Sequence, residues 1–128
     1  MRKKICYIAH PIGGNVELNL ASIRNIIFRI NTEKKFGDVV PFAPYYSDVV
    51  SCDDNVPELR ERGLQNDEAI LSRKGLVDEL WLFGPHISAG MKREIMAAFR
   101  AGIPVVPQQR NLMEPLLKIK SEYEAIHN

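Results

Sequence analysis

Short apolar runs that alternate with amphipathic segments constrain the fold of this chain more than any other feature. The runs read KKICYIA, GDVVPFAP, DELWLFG and IPVV, and they begin at residues 3, 37, 78 and 103. Each is apolar nearly throughout, which is typical of strands buried on both faces of a parallel sheet. A segment with helical spacing follows each run. We therefore predict a single-domain α/β fold, a flavodoxin- or Rossmann-like sandwich. Its parallel sheet should have four or five strands in the order of about 2-1-3-4, with helices on both faces.

Capping residues place the helices between these runs. Polar N-caps precede apolar residues at helical spacing, and glycine or proline tends to follow them. Four helices are expected, with N-caps at Asn15, Asn55, Ser88 and Asn111 and with ends near residues 35, 74, 102 and 126. A glutamate three residues after Asn55, and another three residues after Asn111, suggest a capping box at each site. The segment YYSDVVSCDD, residues 45–54, fits neither pattern, and we expect it to be irregular.

Length and charge limit the classes of function. The chain has 128 residues, which suits one domain, 1–128, with an apolar core of its own. Its 17 basic and 16 acidic residues nearly cancel, so we expect neither nucleic acid nor a membrane surface as a partner. No apolar run approaches the ~20 residues that a membrane helix needs. A cytoplasmic protein is expected.

Cysteine and histidine spacing gives no support for a metal or redox centre. Cys6 and Cys52 lie far apart, and neither belongs to a CxxC pair. His10, His86 and His127 lack the close spacing of zinc ligands, and the carboxylates lack the loop pattern of a calcium site. The glycines of HPIGGN match neither a Walker motif nor a dinucleotide fingerprint. We therefore expect no metal and no cofactor.

The predicted strand order places a ligand cleft between two glycine-bearing loops. In open parallel sheets, ligands bind beyond the carboxyl ends of the strands, where the strand order reverses. That point lies between the loop AHPIGG after the first strand and the loop GPHISAG after the third. The loop residues that we expect to contact a ligand are His10, Gly13, Gly14, His86, Ser88, Ala89 and Gly90. Either histidine can instead cap the backbone or face water.

Glu94 is the one acidic residue of the predicted third helix, and it borders the apolar face. Around the helix it lies next to small residues such as Gly90 and Ala97, which would let a ligand come close. It can be a boundary residue, either solvated or paired with Lys92 or Arg93. Alternatively, it is a carboxylate held over the ligand cleft, where it can attack a sugar carbon or stabilise a developing cation.

Two stretches of the chain resemble the nucleoside 2-deoxyribosyltransferase superfamily. They are CYIAHPIGG, residues 6–14, and LWLFGPHISAGMKREIMAAFRAGIPVV, residues 80–106. The likeness is strongest to small phage and bacterial members with a Tyr-x-Ala-x-Pro first strand and a Ser-x-Gly-Met-x-x-Glu-Ile third loop and helix. The resemblance implies a parallel sheet with flanking helices. It also implies cleavage of the N-glycosidic bond of a deoxynucleoside or its monophosphate.

The resemblance assigns catalytic roles to three residues. Glu94 falls on the glutamate nucleophile, which forms a covalent deoxyribosyl-enzyme before another base or water takes the sugar. Tyr7 falls on the first-strand tyrosine that hydrogen-bonds this glutamate and orients the sugar, although a tyrosine in an inner strand is often a core residue. Asp67, in the context DEAIL, lies near the aspartate acid of a related 2'-deoxynucleoside 5'-phosphate hydrolase. His86 is the second candidate for the acid.

Several positions depart from the superfamily pattern. Ser88 stands where the transferases usually have an aspartate and where the hydrolase has a serine that contacts phosphate. With the amides of Ala89 and Gly90, Ser88 would form an anion site at a helix start. In the first loop, Pro11 replaces the serine of the hydrolase, and the arginine of the hydrolase is missing. His10 replaces the usual glycine and would narrow the pocket.

These residues together predict an enzyme that cleaves or transfers the N-glycosidic bond of a nucleoside or nucleoside monophosphate. A non-catalytic nucleotide- or nucleoside-binding module on the same fold is the alternative. A ribose-5'-phosphate-releasing hydrolase of the cytokinin-activating type is a weaker third interpretation, because the chain lacks the Gly-Gly-x-Gly-Thr run of that type. Relatives of this kind commonly form dimers or higher oligomers. We therefore expect a homo-oligomer that makes contact through the first and last helices.

Overall fold

Four parallel strands form the sheet that the apolar runs predict. The computed structural model describes residues 2–53 and 55–127. Within these residues the strands are β1 (Lys4–Ala9), β2 (Val39–Phe42), β3 (Glu79–Leu82) and β4 (Val105–Pro107). They pair in parallel in the order β2-β1-β3-β4. The predicted α/β class, strand direction and strand order are therefore confirmed, with four strands.

Helices surround this sheet. They are α1 (Val16–Thr32), α2 (Tyr45–Ser51), α3 (Pro57–Ser72), α4 (Ala89–Ala101) and α5 (Met113–His127). Two N-caps are those expected: the side chain of Asn15 accepts from the amide of Leu18 at 3.1 Å, and that of Ser88 accepts from the amide of Met91 at 3.2 Å. Among the described residues, no helix has both the length and the apolarity that crossing a membrane requires.

The expectation of an irregular segment at residues 45–54 is wrong for residues 45–51 and holds for Cys52 and Asp53. Residues Tyr45–Ser51 form α2, and Asp54 lies outside the described residues. Tyr45 is buried, and its hydroxyl donates to the backbone carbonyl of Ile8 at 2.6 Å. Tertiary anchoring of this kind stabilises a helix whose local sequence does not favour it.

Neither predicted capping box forms. Val56 takes the N-cap position of α3 without any side-chain bond, and Pro57 occupies the first turn. The side chain of Asn111 donates instead to the carbonyl oxygens of Gly84 and Pro85, each at 3.1 Å. Asn111 therefore holds the loop after β3 rather than a helix start.

The sheet separates two apolar cores. Side chains alternate along β1, so that Tyr7 and Ala9 face the larger core while Cys6 and Ile8 face the smaller one. Residues of α1, α3, α4 and α5 fill the larger core. Tyr7 brings a phenol hydroxyl into it, directly beneath α4.

The loops after β1 and β3 approach each other closely at Gly84. Its φ is +108°, and a Cβ at this position would lie 2.6 Å from Cδ of Pro11. Only glycine satisfies both conditions, because L side chains rarely adopt this φ and the proline ring leaves no room. This contact brings together the two loops that border the expected cleft.

Gly84→Ala should therefore lower the free energy of unfolding by about 3 kcal/mol, from backbone strain plus the clash with Pro11. Gly75→Ala is the matched control. Gly75 has a similar φ of +80°, but none of the described atoms lies within 4 Å of its virtual Cβ. Gly75→Ala should lower the free energy of unfolding by only about 1 kcal/mol. Urea denaturation measures both, and equal losses would show that the contact between the loops is not tight.

Candidate active site

A cavity of about 530 Å³ lies at the carboxyl edge of the sheet. The loops after β1 and β3, the helices α2 and α3, and the first half of α4 form its walls. Small-molecule sites in proteins commonly have volumes of ~300–1,000 Å³. The cavity lies at the predicted point where the strand order reverses between β1 and β3.

Most of the residues that the sequence singled out surround this cavity. Those that line it are His10, Gly13, Gly14, Asp67, His86, Ser88, Ala89, Gly90 and Glu94. Tyr7 is fully buried beneath the cavity and reaches the site through a hydrogen bond to Glu94. The three residues with expected catalytic roles therefore come together from β1, α3 and α4.

Glu94 is buried and in contact with a phenol. Only 5% of its surface is exposed, and its Oε2 accepts a hydrogen bond from the hydroxyl of Tyr7. The neighbouring cations Lys92 and Arg93 point away and pair with glutamates of α5 and α3. The alternative of a solvated or ion-paired boundary residue is therefore wrong.

The surroundings of Glu94 favour its protonated form. Burial raises the pKa of Glu94 to about 8, the hydrogen bond from Tyr7 opposes this rise, and the negative charge of Asp67 adds to it. Burial and the nearby charge of Glu94 also raise the pKa of Tyr7 well above its usual value. The phenol therefore stays protonated and donates a hydrogen bond to the carboxyl group.

Asp67 is a second buried carboxyl group, contributed by α3. It is 4% exposed and lies near the Tyr7 hydroxyl, whose single proton is donated to Glu94. Burial raises the pKa of Asp67 to about 7, and the charge of Asp48 acts in the same direction while Tyr7 opposes it. A carboxyl group with such a pKa can act as a general acid near neutral pH.

Tyr7→Phe should raise the pKa of Glu94 by about one pH unit, because it removes a hydrogen bond that favours the carboxylate. A carbon-13 NMR titration of the glutamate carboxyl groups measures this. Tyr45→Phe is the control: its ring centroid lies 6.0 Å from that of Tyr7, but its hydroxyl donates to a backbone carbonyl. An unchanged or lower pKa in Tyr7→Phe would contradict the assigned hydrogen bond.

His10 forms part of the cavity wall and is held by structural hydrogen bonds. It is 5% exposed, its Nδ1 lies 2.7 Å from the carbonyl oxygen of Pro11, and its Nε2 lies 3.0 Å from the hydroxyl of Ser22. A carbonyl oxygen only accepts, so Nδ1 carries the proton and Nε2 of the neutral ring accepts from Ser22. Burial lowers the pKa of His10, which agrees with a neutral ring. His86, in contrast, is exposed at the cavity rim.

Four charged residues of the cavity wall were absent from the sequence predictions: Asp48 on α2, Asp53 just after it, and Arg60 and Arg62 on α3. Asp48 and Asp53 belong to the segment that was expected to be irregular. Arg60 was missed although a signal existed. It precedes Asp67 by seven residues, so a cavity-facing Asp67 places both on the same side of a helix.

Arg60 gives the cavity a cation next to its glycine-rich end. It borders a second recess of about 420 Å³ that adjoins the cavity, together with both glycines of the first loop and with Ala89 and Gly90 at the start of α4. The side chain of Arg60 makes no ion pair with any described residue. The first loop lacks the arginine that the related hydrolase has there, and Arg60 of α3 places an arginine beside that loop instead.

Comparison with known proteins adds the family and nothing about the reaction. A family model matches residues 4–108, a range that contains every strand and every site residue named above, and its description is a domain of unknown function (DUF7768). No curated protein and no solved structure matches the chain. Among the described residues, no group of three or more His, Cys, Asp or Glu side chains is placed to hold a metal ion.

Proposed function

The chain belongs to the DUF7768 family, and from the geometry of its site we propose that it cleaves or transfers the N-glycosidic bond of a nucleoside or nucleoside monophosphate. The observation that carries the proposal is the Glu94 carboxyl group, 5% exposed at the edge of the cavity and held by the Tyr7 hydroxyl. Such a buried, oriented carboxyl group costs folding free energy. Groups kept at that cost cluster at functional sites.

Cleavage uses the two buried carboxyl groups in different roles. An oxygen of ionised Glu94 forms a bond to the anomeric carbon of the sugar while the bond from that carbon to the base nitrogen breaks. The electron pair of the broken bond goes to the base, and the proton of Asp67 neutralises it. Water or a second base then takes the sugar from Glu94, and Asp67 recovers its proton from this incoming group.

Tyr7 keeps the nucleophile oriented throughout. Its hydroxyl donates to one oxygen of Glu94 and leaves the other oxygen to face the substrate. The same hydrogen bond lowers the pKa of Glu94 against the effect of burial. The positive charge that develops on the sugar further favours the ionised carboxyl group, since opposite charges stabilise each other in a poorly solvated site.

A monophosphate would place its phosphate at the glycine-rich end of the cavity. Gly13, Gly14, Ala89 and Gly90 present a backbone without bulky side chains there, and Arg60 supplies a positive charge. Backbone amides at the start of a helix also attract anions. The hydroxyl of Ser88 already caps α4, so it can bind phosphate as a donor while its oxygen keeps accepting from Met91.

A panel of substrates tests the proposal. The protein is incubated with deoxynucleosides, ribonucleosides and their 5'-monophosphates, with and without an acceptor base, and the free base is measured by chromatography. We expect base release. Release without an acceptor identifies a hydrolase, exchange only with an acceptor identifies a transferase, and release from monophosphates alone identifies the glycine-rich end as a phosphate site. Binding without any base release would leave a binding module and refute the enzyme.

We further propose that the protein works in the cytoplasm as a homodimer or a larger homo-oligomer. Free thiols at Cys6 and Cys52 suit a reducing compartment. The first and last helices carry exposed apolar side chains, among them Phe28 at 64% and Leu117 at 60% exposure, which an assembly could cover. Light scattering measures the assembly, and a monomer at all concentrations would refute it.

A further inference from the structure

Two carboxyl groups of different character lie on one side of the cavity, where α2 packs against α3. Asp67 is 4% exposed, and the neighbouring Tyr7 hydroxyl donates its hydrogen bond to Glu94. Asp48 is half-buried, and its side chain makes neither a hydrogen bond nor an ion pair with a described residue. Both groups line the cavity, where they can contact a ligand.

We propose that Asp67 and Asp48 together recognise one edge of the base, and that the cavity selects bases in which a ring nitrogen acceptor lies beside an exocyclic amino group. Adenine and cytosine have such an edge away from the sugar, whereas guanine has one only at N3 and its 2-amino group, beside the sugar. This inference rests on the proposed function for the kind of ligand, and it adds the class of base.

The chemistry follows from the closeness of the two acids. Two carboxylates in one poorly solvated site repel each other, so one of them keeps its proton. The more buried group, Asp67, is the one whose charge costs more, and the charge of Asp48 raises its pKa further. Protonated Asp67 then donates to a ring nitrogen, and ionised Asp48 accepts from an amino group.

Bases with a carbonyl group in place of the amino group do not fit this pair. Uracil and thymine present a ring N–H beside a carbonyl oxygen, the reverse of what Asp67 and Asp48 require. On the edge away from the sugar, hypoxanthine and guanine turn a carbonyl oxygen towards Asp48, so that two hydrogen-bond acceptors face each other. A site that hydrogen-bonds a group of the substrate strongly rejects an analogue without that group, because buried polar atoms of the site are then left unpaired.

Calorimetric titration with matched pairs of ligands tests the inference. The pairs are deoxyadenosine with deoxyinosine and deoxycytidine with deoxyuridine, each also as the 5'-monophosphate, and the Glu94→Gln variant serves as the protein so that no turnover interferes. We expect the amino member of each pair to bind at least about 10-fold more tightly. Adding Asp48→Asn should reduce this ratio to below about 3-fold, because the amide can donate to a carbonyl oxygen as well as accept.

Asp53→Asn is the matched control. Asp53 lines the same cavity, but its carboxylate accepts from the backbone amide of Asn55 at 2.9 Å. The preference for the amino member should remain in this variant. Loss of the preference in Asp53→Asn to the same extent as in Asp48→Asn would overturn the assignment to Asp48.

Failure of this inference is distinguishable from failure of the proposed function. Equal affinities within both pairs, tighter binding of the carbonyl members, or no binding in any form would overturn the base preference. Base release by the wild type without such a preference would leave the proposed function standing alone. The expected preference in binding, without any base release, would support the recognition of the base and refute the enzyme.

Discussion

Glu94→Gln should lower base release at least about 10³-fold and, at the same time, make the protein more stable above about pH 8. The activity falls because an amide is a far weaker nucleophile than a carboxylate and forms no stable glycosyl ester. The fold persists, since glutamine has nearly the same shape and its carbonyl oxygen still accepts from the Tyr7 hydroxyl. Loss of function with a gain in stability is what a residue kept for chemistry should show.

The gain in stability follows from the raised pKa. Folding moves the pKa of Glu94 from its ordinary value of 4.5 to about 8, so the folded state binds the proton more tightly than the unfolded state does. Ionising the buried carboxyl group therefore lowers the free energy of unfolding. This loss is absent below about pH 4.5, grows as the pH rises, and reaches its full size above about pH 8. Glutamine stays neutral at every pH and escapes the cost. We expect a gain of about 3 kcal/mol at pH 9, or about 10 °C in Tm, and almost none at pH 4.5.

Thermal unfolding between pH 4.5 and 9, together with the chromatographic assay of base release, measures both effects. Glu122→Gln is the control, because Glu122 is 44% exposed and pairs with Lys92 at the surface. It should change stability by less than about 0.5 kcal/mol at any pH and leave activity intact. More than a tenth of wild-type activity in Glu94→Gln would exclude Glu94 as the nucleophile. If the stability gained in Glu94→Gln did not depend on pH, the burial and raised pKa of the Glu94 carboxyl group would be contradicted.

The position of Glu94 was predictable because it depends on patterns that a sequence carries. Continuous apolar runs identify buried parallel strands, and the order of β1 beside β3 brings Tyr7 near the helix that follows β3. The helical wheel places Glu94 at the edge of the apolar face. The wheel does not show that this edge is buried, because the burial comes from α3 and β1 packing around it.

The errors have a different origin, in contacts between residues far apart in the chain. Residues 45–51 contain aromatic and β-branched side chains and form a helix because Tyr45 is anchored to Ile8, 37 residues away. Asn111 has a plausible capping sequence, yet its side chain is used by the carbonyl of Gly84, 27 residues away. Local helix propensity contains no information about either distant partner, the carbonyl of Ile8 or that of Gly84. Asp48 reaches the cavity wall for the same reason, since it lies on the helix that Tyr45 anchors.

Asp67→Asn should lower kcat/KM on nucleosides by about 10²–10³-fold, the range expected for the loss of a general acid. Asparagine has the same shape and still donates a hydrogen bond, but it cannot transfer a proton to the departing base. The Asp53→Asn variant, altered in the same way in the same cavity, should retain its activity. Steady-state kinetics on both variants measure the difference.

The pH profile should change in a defined direction. In the wild type, kcat/KM should rise as Glu94 loses its proton, near pH 8, and fall as Asp67 loses its own, near pH 7, which gives a bell with its maximum between the two values. In Asp67→Asn the falling limb should disappear. The rising limb should move to lower pH, because the charge of Asp67 no longer raises the pKa of Glu94.

A substrate that needs no acid separates proton transfer from positioning. The nitrophenolate of 4-nitrophenyl 2-deoxyriboside departs without protonation, so Asp67→Asn should lose less than about 10-fold on it while losing the full amount on nucleosides. Equal losses on both substrates would show that Asp67 only positions the sugar or the base. In that case the proton would have to come from another group at the cavity, and His86, exposed at its rim, would be the next residue to replace.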